Sequence, residues 1–277
     1  MAHRPRKRFS QNFLIDEGVI AALIAAIAPR ADDCMVEIGP GLGALTRPLT
    51  ETVRRLNVIE IDRDIVARLR STYSADRLVI HEGDALEFDF GVLGKELRLI
   101  GNLPYHISTP LLFRFVAYSH LLRDVHVMLQ SEVVERMVAT PGASEYGRLS
   151  VMLQYRFDME NIIDVPATAF RPAPKVESAV VRMLPRPIDA LSARDDRSFA
   201  ETVATAFSQR RKTLRNTLGG CLSPSDFEAL GLDPQARAQT LSVADFVKIA
   251  DYRARMTDQG DSAINRSPKE GRLRRET

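Results

Sequence analysis

The sequence predicts an α/β protein whose first part is a parallel, doubly wound sheet and whose last part is a small helical domain. Three observations predict this architecture. Short apolar runs typical of strands alternate with helical patterns along the first half of the chain. A polar stretch with two prolines, residues 185–197, then interrupts the alternation, and short segments with helix-capping signals follow it. The 277 residues leave room for both parts, because a domain has roughly 150 residues.

The elements of the sheet follow one another in short units. Asp16 is placed to cap a first helix, since apolar residues from Val19 to Ile27 then recur on one 3.6-period face. The next elements, in chain order, are a strand at 35–38, a turn and helix at 42–52, a strand at 57–61, a helix at 62–73, strands at 78–81 and 97–100, a helix at 108–118 and a strand at 125–130. Two extended segments, 156–165 and 177–184, have no helical pattern between them and predict a closing antiparallel pair.

These patterns set the predicted domain organisation. The sheet domain takes residues 1–184, a linker takes residues 185–197, and the helical domain takes residues 198–253. Within the helical domain, capping signals occur at Ser198 with Glu201, at Ser225 with Glu228 and at Ser242 with Asp245. The chain is polar from 254 to 277, where we expect a disordered tail.

Positive charge is concentrated rather than abundant. The 38 Lys and Arg residues nearly balance the 36 Asp and Glu residues, so the net charge of +2 by itself predicts no partner. Residues 1–8, residues 207–218 and the last dozen residues, however, are rich in basic side chains. Such runs suit a polyanion, although a solvated surface is the alternative for each of them. In the central run the candidate binding residues are Arg210, Arg211, Lys212 and Arg215.

Composition excludes several classes of protein. Cys34 and Cys221 are too few and too far apart for a disulfide framework or a cysteine metal site, which is typical of a reducing cytosol. The histidines show no metal-ligand spacing, so we predict no metal. The longest apolar stretch, 19–28, has about half the length needed to span a membrane, and Asp16 and Glu17 stand where a signal peptide would begin its apolar region. We therefore expect a cytoplasmic protein without membrane contact.

The segment EIGPGLGALT, residues 37–46, lies where the first strand of the sheet turns into a helix. Gly39, Gly41 and Gly43 allow a tight turn and a close approach of the backbone to a ligand, so the loop can hold part of a nucleoside-bearing cofactor. With Ala44 the loop also satisfies the dinucleotide fingerprint, and a purely structural turn is a third possibility. The loop alone therefore does not select the cofactor.

Three carboxylates around this loop favour S-adenosylmethionine over a nicotinamide dinucleotide. Glu60 ends the second strand in VIEID, where its carboxylate can accept hydrogen bonds from both ribose hydroxyls. Glu37 begins the loop segment, and Asp84 ends the third strand in EGDAL. Carboxylates in these places would repel a pyrophosphate, whereas they would attract a ligand that carries an ammonium and a sulfonium group.

The segment GNLPYHIS, residues 101–108, is predicted to position an adenine amine for methylation. The lone pair of that amine is delocalised into the ring, so the amine is a poor nucleophile. The side-chain oxygen of Asn102 can accept one amine hydrogen and the backbone carbonyl of Leu103 or Pro104 the other, which frees the lone pair. Tyr105 offers a face on which the base can stack. An ordinary strand-to-helix turn is the alternative.

Phe170, in AFRPAPKVES, is the candidate for the opposite face of the base. Stacking of a base on an aromatic ring contributes roughly 1 to 3 kcal/mol, so two rings could offset the few kcal/mol that extruding a base costs. The alternative is that Phe170 is a core residue.

Taken in order, the motifs resemble those of the ribosomal RNA small-subunit adenine dimethyltransferases, the bacterial KsgA (RsmA) family. The matching segments are FSQNFL at 9–14, EIGPGLGALT, VIEID, GDAL, NLPYHIS, FRPAPKVES, SQRRKTLRN and RAQTLSVADF, and they extend from about residue 8 to residue 250. The resemblance implies a class I, Rossmann-like methyltransferase fold with S-adenosylmethionine as methyl donor. It implies dimethylation of two adjacent adenosines in the 3′-terminal hairpin of 16S rRNA, within an immature 30S subunit. We expect a monomer.

The resemblance also assigns residues. Those expected at the cofactor are Gln11, Asn12, Leu14, Glu37, Gly39, Gly41, Glu60, Ile61, Asp84, Ala85 and Asn102. Those expected at the base are Asn102, Leu103, Pro104, Tyr105 and Phe170.

Two other functions stay open at this point. One is a large-subunit rRNA adenine methyltransferase that confers antibiotic resistance, and the match of the C-terminal segments disfavours it. The other is a ribosome-assembly factor that binds RNA without catalysis. Intact Glu60, Asp84 and NLPY disfavour this second alternative.

Overall fold

The computed structural model describes residues 12–187, 190 and 193–264. The described residues divide into two compact units, of which the first contains those within 12–140 and 149–190, and the second contains 141–148 and 193–264. Gln11, the basic N-terminal run and residues 265–277 lie outside the described residues. None of the described helices has the length and apolar character required to cross a membrane.

The first unit is built on a seven-stranded sheet. The strands of this unit, in chain order, are β1 (Phe13–Leu14), β2 (Cys34–Ile38), β3 (Leu56–Glu60), β4 (Leu78–Glu82), β5 (Leu97–Asn102), β6 (Leu122–Gln130), β7 (Phe157–Val165), β8 (Phe170–Arg171) and β9 (Ser178–Pro185). The order in the large sheet is β4-β3-β2-β5-β6-β9-β7, and β1 pairs separately with β8. The first five strands of that order are mutually parallel, whereas β9 runs antiparallel to both its neighbours. The predicted strands and the closing antiparallel pair are confirmed.

The helices along this part of the chain are α1 (Glu17–Ile27), α2 (Thr46–Thr52), α3 (Arg63–Thr72), α4 (Tyr105–Ala117), α5 (Ser131–Val138) and α6 (Arg148–Gln154). The turn and helix predicted at 42–52 are present: the glycine loop forms the turn, and the helix begins at Thr46. In contrast, α4 begins three residues earlier than predicted. Pro104 is its N-cap, and the fixed φ of proline suits the start of a helix. The helices α5 and α6 were not predicted from the sequence.

The central strands are buried on both faces, which is why they are continuous apolar runs. Along β6, Val127 and Leu129 face one core, which α4 and α5 also enter. Met128, between them, faces a second core that includes α1 and α2. The period of two along the strand therefore supplies both layers of helices with packing partners.

A buried cation fixes the amino ends of β5 and β6. Arg98, which is only 5% exposed, donates two hydrogen bonds to the Asp124 carboxylate, at 3.0 Å from Nε and 2.7 Å from Nη2. The same guanidinium donates to Asp33 and to the carbonyl of Ile27, the last residue of α1. The end of the helix is thereby attached to the sheet. Loss of Arg98 would leave the buried Asp124 carboxylate without this cationic partner, at a cost of about 3 to 5 kcal/mol.

The second unit is helical, with α7 (Asp196–Ala206), α8 (Leu214–Leu218), α9 (Pro224–Leu230) and α10 (Val243–Ile264). The predicted capping pair of Ser242 and Asp245 is present. The other two caps lie earlier in the chain than predicted, at Asp195 for α7 and at Ser223 for α9, because those side chains already accept from the first free N–H groups. The last helix continues to Ile264, although a disordered tail was expected from residue 254.

Residues 141–148, which the predicted boundaries assigned to the sheet domain, pack with the helical unit instead. Tyr146 is buried there, donates its hydroxyl to the carbonyl of Leu241 at 3.0 Å, and lies edge-on to Phe207 with ring centroids 6.5 Å apart. The contacts join residues that are more than sixty positions apart in the chain. Local sequence patterns carry no signal for such a contact.

Gly101 lies on β5 beside the carbonyl end of β2. A Cβ atom at this position would be 2.5 Å from the carbonyl oxygen of Ile38. That oxygen belongs to a central strand and cannot move aside without disturbing the ladder between the strands. Glycine is therefore required immediately before Asn102.

We expect Gly101→Ala to lower the free energy of unfolding by about 1 to 3 kcal/mol, because the added methyl group overlaps backbone rather than a flexible side chain. Urea denaturation measures the change. Gly83→Ala is the matched control, since a Cβ there meets nothing within 4 Å. Equal unfolding midpoints for the two variants would contradict the expectation.

Candidate active site

A cavity of about 350 Å³ lies at the carboxyl ends of the parallel strands of the first unit. Glu37 of β2, Glu60 at the end of β3 and Asn102 at the end of β5 all line it. Doubly wound sheets bind their ligands at this edge, and the volume falls in the usual range of small-molecule sites. The cavity is the candidate active site.

The glycine loop forms one wall of the cavity. Gly41 has a φ of +54°, in the left-handed region that side chains rarely adopt. The ring of Phe13 lies 3.2 Å from where a Cβ on Gly41 would be. Phe13, which also lines the cavity, therefore covers the loop at Gly41.

Glu60 is held rigidly at the end of β3. Its Oε1 accepts hydrogen bonds from the backbone N–H groups of Ile61, at 2.9 Å, and Asp62, at 2.8 Å. Burial raises the pKa of this carboxyl, and the N–H groups act against that rise. A carboxylate has about four lone-pair positions, so hydroxyl groups of a ribose can still be accepted.

Glu37 is 2% exposed, and its Oε2 accepts a hydrogen bond of 2.6 Å from the hydroxyl of Thr46. Burial and, to a smaller extent, the nearby Glu60 raise its pKa to about 7, while the hydrogen bond from Thr46 acts against the rise. Within the part of the chain that the structure describes, no Lys or Arg pairs with this carboxyl. A buried carboxyl without a cationic partner fits a positively charged ligand.

Asp84 adds a third carboxyl to the cavity wall, with Oδ1 accepting from the N–H of Leu86 at 2.9 Å. Together with Glu37 and Glu60 it makes the cavity acidic. The cationic methionine part and the ribose of S-adenosylmethionine fit these groups, whereas a pyrophosphate would be repelled. The same groups do not form a metal site: among the described residues, no cluster of His, Cys, Asp and Glu is arranged to hold a metal ion.

The segment that follows β5 forms the opposite wall. Asn102 Nδ2 donates a hydrogen bond of 2.9 Å to the backbone carbonyl of Asn12. Leu103 is buried, and its N–H donates to the carbonyl of Met128 on β6 at 3.2 Å, which holds the turn against the sheet. Pro104 then begins α4.

Tyr105 is half-buried, and its hydroxyl lies 2.8 Å from the hydroxyl of Ser178 on β9. Burial raises the pKa of Tyr105, so the phenol stays neutral at physiological pH. The hydrogen bond restricts how the ring can turn. Tyr105 is therefore an ordered aromatic surface on the cavity wall.

Most of the predicted site residues are brought together in this one cavity. They are Asn12, Leu14, Glu37, Gly39, Gly41, Glu60, Ile61, Asp84, Asn102, Leu103, Pro104 and Tyr105. Gln11 lies outside the described residues.

Two predicted residues lie elsewhere. Phe170 is 3% exposed and packs in the core with Leu14, because β8 pairs with β1 there. The prediction that its ring offers a stacking face to the base is not met in this arrangement, and the alternative of a core residue describes it. Ala85 follows Asp84 but points into the other core.

Several lining residues were not predicted. They are Phe13, Pro40, Leu42, Ala44, Leu45, Ile65, His106 and Ile107. Most of them lie inside motifs that were identified in the sequence. They could therefore have been predicted as neighbours of the motif residues. Ile65 is different, since it lies on α3 among ordinary helix residues and only the folding of that helix over the sheet brings it to the cavity.

The basic run of the second unit lies on the surface. Arg211, Lys212 and Arg215 are exposed. Arg210 is also exposed, but its Nη2 donates to the backbone carbonyl of Ser144 and so supports the 141–148 segment. The predicted polyanion-binding residues thus include one that also has a structural contact.

Known proteins with similar sequences have descriptions that agree with one another. A family model described as ribosomal RNA adenine dimethylase matches residues 2–255. A protein from Thiobacillus denitrificans named ribosomal RNA small subunit methyltransferase A is 59% identical over 252 residues, which cover 91% of this chain and 99% of the relative. A protein of the same name from Dechloromonas aromatica is 56% identical over 250 residues, covering 90% of this chain and 98% of the relative.

Solved structures show the same fold. A dimethyladenosine transferase from Plasmodium falciparum has a TM-score of 0.76 at 25% identity, with coverage of 90% of this chain and 98% of that one. The 23S rRNA methyltransferase ErmE has a TM-score of 0.69 at 23% identity, with coverage of 87% and 99%, and this similarity shows the fold alone.

The fold and its acidic, glycine-lined cavity define a class I methyltransferase that uses S-adenosylmethionine. The chain belongs to the ribosomal RNA adenine dimethylase family. It is therefore an rRNA adenine methyltransferase, and neither alternative from the sequence analysis is favoured.

We expect S-adenosylmethionine to bind more tightly as the pH rises through about 7, the value to which burial raises the pKa of Glu37. Below that pH the carboxyl is neutral and attracts no cation. Above it the carboxylate is present before binding, so no proton has to be released on binding. Calorimetric titrations across neutral pH measure the effect.

Glu37→Gln should flatten this pH dependence, because the amide does not titrate. The exposed Glu87→Gln is the matched control and should retain it. The assignment to Glu37 fails if both variants show the pH dependence of the unmodified protein.

Proposed function

We propose that the protein transfers methyl groups to N6 of two adjacent adenosines in the 3′-terminal hairpin of 16S rRNA, on an immature 30S subunit and as a monomer. The observation that carries the proposal is Asn102, whose amide group faces the cavity that Glu60 and Asp84 also line. Relatives that are more than half identical over nearly their whole length are named as small-subunit methyltransferases, which supports the choice of subunit. Because the substrate is ribosomal, the protein acts in the cytoplasm.

The residues of the cavity divide into a cofactor part and a substrate part. Glu60 accepts from the ribose hydroxyls, while Glu37 and Asp84 provide negative charge toward the cationic end of the cofactor. When bound, S-adenosylmethionine supplies a methyl group on a positively charged sulfur. The acidic wall therefore holds the donor beside the turn that begins with Asn102.

Asn102 activates the adenine amine by hydrogen bonding rather than by taking its proton. With Nδ2 donating to Asn12, its Oδ1 is the atom that accepts one N6 hydrogen. The backbone carbonyl of Leu103 or Pro104 accepts the other. Both acceptors pull the nitrogen toward a tetrahedral geometry, so its lone pair becomes available. The methylated amine is acidic and loses its proton without a strong base.

Tyr105 stacks on the extruded base and keeps the amine at Asn102. One stacking contact contributes roughly 1 to 3 kcal/mol, comparable with the cost of extruding a base that is already unpaired. Phe170 is buried in the core, so we assign the stacking role to Tyr105, the aromatic residue of the NLPY segment. A hairpin loop suits this requirement, since its bases are unpaired.

The second unit binds the RNA through its basic run. Arg211, Lys212 and Arg215 are exposed and contact phosphates without reading sequence, which positions the hairpin. Arg210 contributes partly through the 141–148 segment. Specificity then comes from the unpaired adenosine that fits the cavity.

We expect Asn102→Ala to lower the single-turnover rate of methylation by roughly a hundredfold, because the amine loses the acceptor that positions and activates it. The affinity for S-adenosylmethionine should change much less. Rapid-quench assays with saturating cofactor and calorimetry measure the two quantities. Asn161→Ala, on the exposed part of β7, is the control and should behave as the unmodified protein. A near-normal rate for Asn102→Ala would refute the role of Asn102.

We expect the triple change of Arg211, Lys212 and Arg215 to Ala to weaken binding to immature subunits. The magnitude of the slope of log affinity against log salt should fall by about two to three units, since each of the three lost phosphate contacts removes roughly 0.7 to 0.9. Filter binding across a salt series measures this slope.

Alanine at Arg54, Arg63 and Arg68 removes the same charge from exposed positions of the first unit and is the control. Cofactor binding should be unchanged in both triple variants. If both have the same salt slope, the RNA path does not include the basic run.

A further inference from the structure

We infer that the segment formed by residues 12–15 is a positioning element for catalysis. The backbone carbonyl of Asn12 fixes which way the Asn102 amide faces, and Phe170 acts as the buried anchor of this segment. The inference rests on the proposed role of Asn102 in methyl transfer. It assigns Phe170 a function other than stacking on the base.

The backbone at Asn102 is fixed, but its amide could still flip. The last residues of β5 pair with β6, and the N–H of Leu103 is bonded to Met128. An asparagine amide has an oxygen and a nitrogen of nearly the same size, so packing alone does not choose between its two orientations. Methyl transfer needs one of them, the one in which Oδ1 can accept from the substrate amine.

The Asn12 carbonyl makes this choice. A carbonyl oxygen can only accept, so it requires the NH₂ group of the amide at the observed 2.9 Å. A flipped amide would bring two oxygens to hydrogen-bond distance and leave a partly buried acceptor without a donor, which is unfavourable. That difference favours the productive orientation.

The residues that follow Asn12 hold its carbonyl in place. Leu14 in β1 is paired with Phe170 in β8, and both side chains are buried in the same core. The N–H of Ile15 donates to the carbonyl of Ala169 at 2.8 Å. A two-residue pair has few hydrogen bonds, so the burial of these two side chains provides most of its stability.

The same segment also touches the glycine loop. Phe13, between Asn12 and Leu14, packs its ring on Gly41. One short strand thus contacts both the cofactor wall and the amide of the substrate wall. Displacement of the strand would disturb the orientation of Asn102 even where the sheet itself is unchanged.

Removal of a single hydrogen bond tests the inference. Ile15→Pro deletes the N–H that donates to Ala169, and Ile15→Ala keeps it. The Ile15 side chain is half exposed, so the alanine variant loses little packing. At saturating cofactor, we expect Ile15→Pro to lower the single-turnover rate by roughly tenfold or more, with little change in RNA affinity, and Ile15→Ala to stay near the unmodified rate. Equal rates for the two variants would overturn the inference.

The orientation of the amide can be observed directly. The chain has six asparagines, so the side-chain signals of protein labelled with ¹⁵N-asparagine can be resolved, and the Asn102→Ala spectrum assigns the relevant pair. We expect one Nδ2 proton of Asn102 to exchange slowly with solvent in the unmodified protein and in Ile15→Ala, and quickly in Ile15→Pro. Rapid exchange in the unmodified protein would overturn the inference, even if the proline variant did not fold.

Phe170 variants separate anchoring from stacking. Phe170→Leu keeps a large buried apolar side chain without an aromatic face, whereas Phe170→Ala removes the anchor. We expect the leucine variant to retain most of the rate and a slowly exchanging Asn102 proton, and the alanine variant to lose both. If leucine costs as much rate as alanine while the Asn102 proton stays protected, the ring acts on the base and the anchoring role is wrong.

Failure of this inference can be distinguished from failure of the proposed function. An inactive Asn102→Ala together with an active Ile15→Pro leaves the role of Asn102 intact and overturns only the role of the segment. An active Asn102→Ala overturns both.

Discussion

The site depends on the close approach of β5 to β2 at their carboxyl ends, where Gly101 faces the carbonyl of Ile38. Because position 101 has no side chain, the next residue emerges directly beside the glycine loop. Glu37 and Asn102 then lie on adjacent strands, one on the cofactor wall and the other on the substrate wall. A methyl group has to pass between two ligands in contact, and this pairing of strands is what brings their binding residues together.

Buried carboxyl groups are paired with cations at one end of the sheet but not at the other. At the amino end, Arg98 pairs with Asp33 and Asp124, and Arg123 also pairs with Asp33, so two cations balance two carboxylates. At the carboxyl end, the partner of Glu37 is a hydroxyl group, and burial raises the pKa of this carboxyl. The first network stabilises the fold. The second leaves negative charge to be balanced by a cationic cofactor, while the basic side chains that suit RNA lie on the surface of the other unit.

Phe170 shows how a motif residue can serve a site without lining it. Its place in FRPAPKVES suggested contact with the base, but β8 pairs with β1 and turns the ring into the core. The pairing holds Leu14 and, through it, the strand whose neighbour Asn12 bonds to Asn102. The role inferred for Phe170 is therefore to position the site from the core, where it is separated from the cavity by another strand.

The sequence by itself determined the alternating strands and helices, the glycine loop and the carboxylates and NLPY segment at strand ends, since each depends on residues that are close together in the chain. Parallel strands place their carboxyl ends at one edge, so the common position of these motifs followed from the strand pattern. Only the tertiary structure decided that Phe170 is buried, that residues 141–148 join the helical unit and that Ile65 reaches the cavity. Each of these outcomes depends on packing between distant segments, and such packing leaves no periodic pattern in the local sequence.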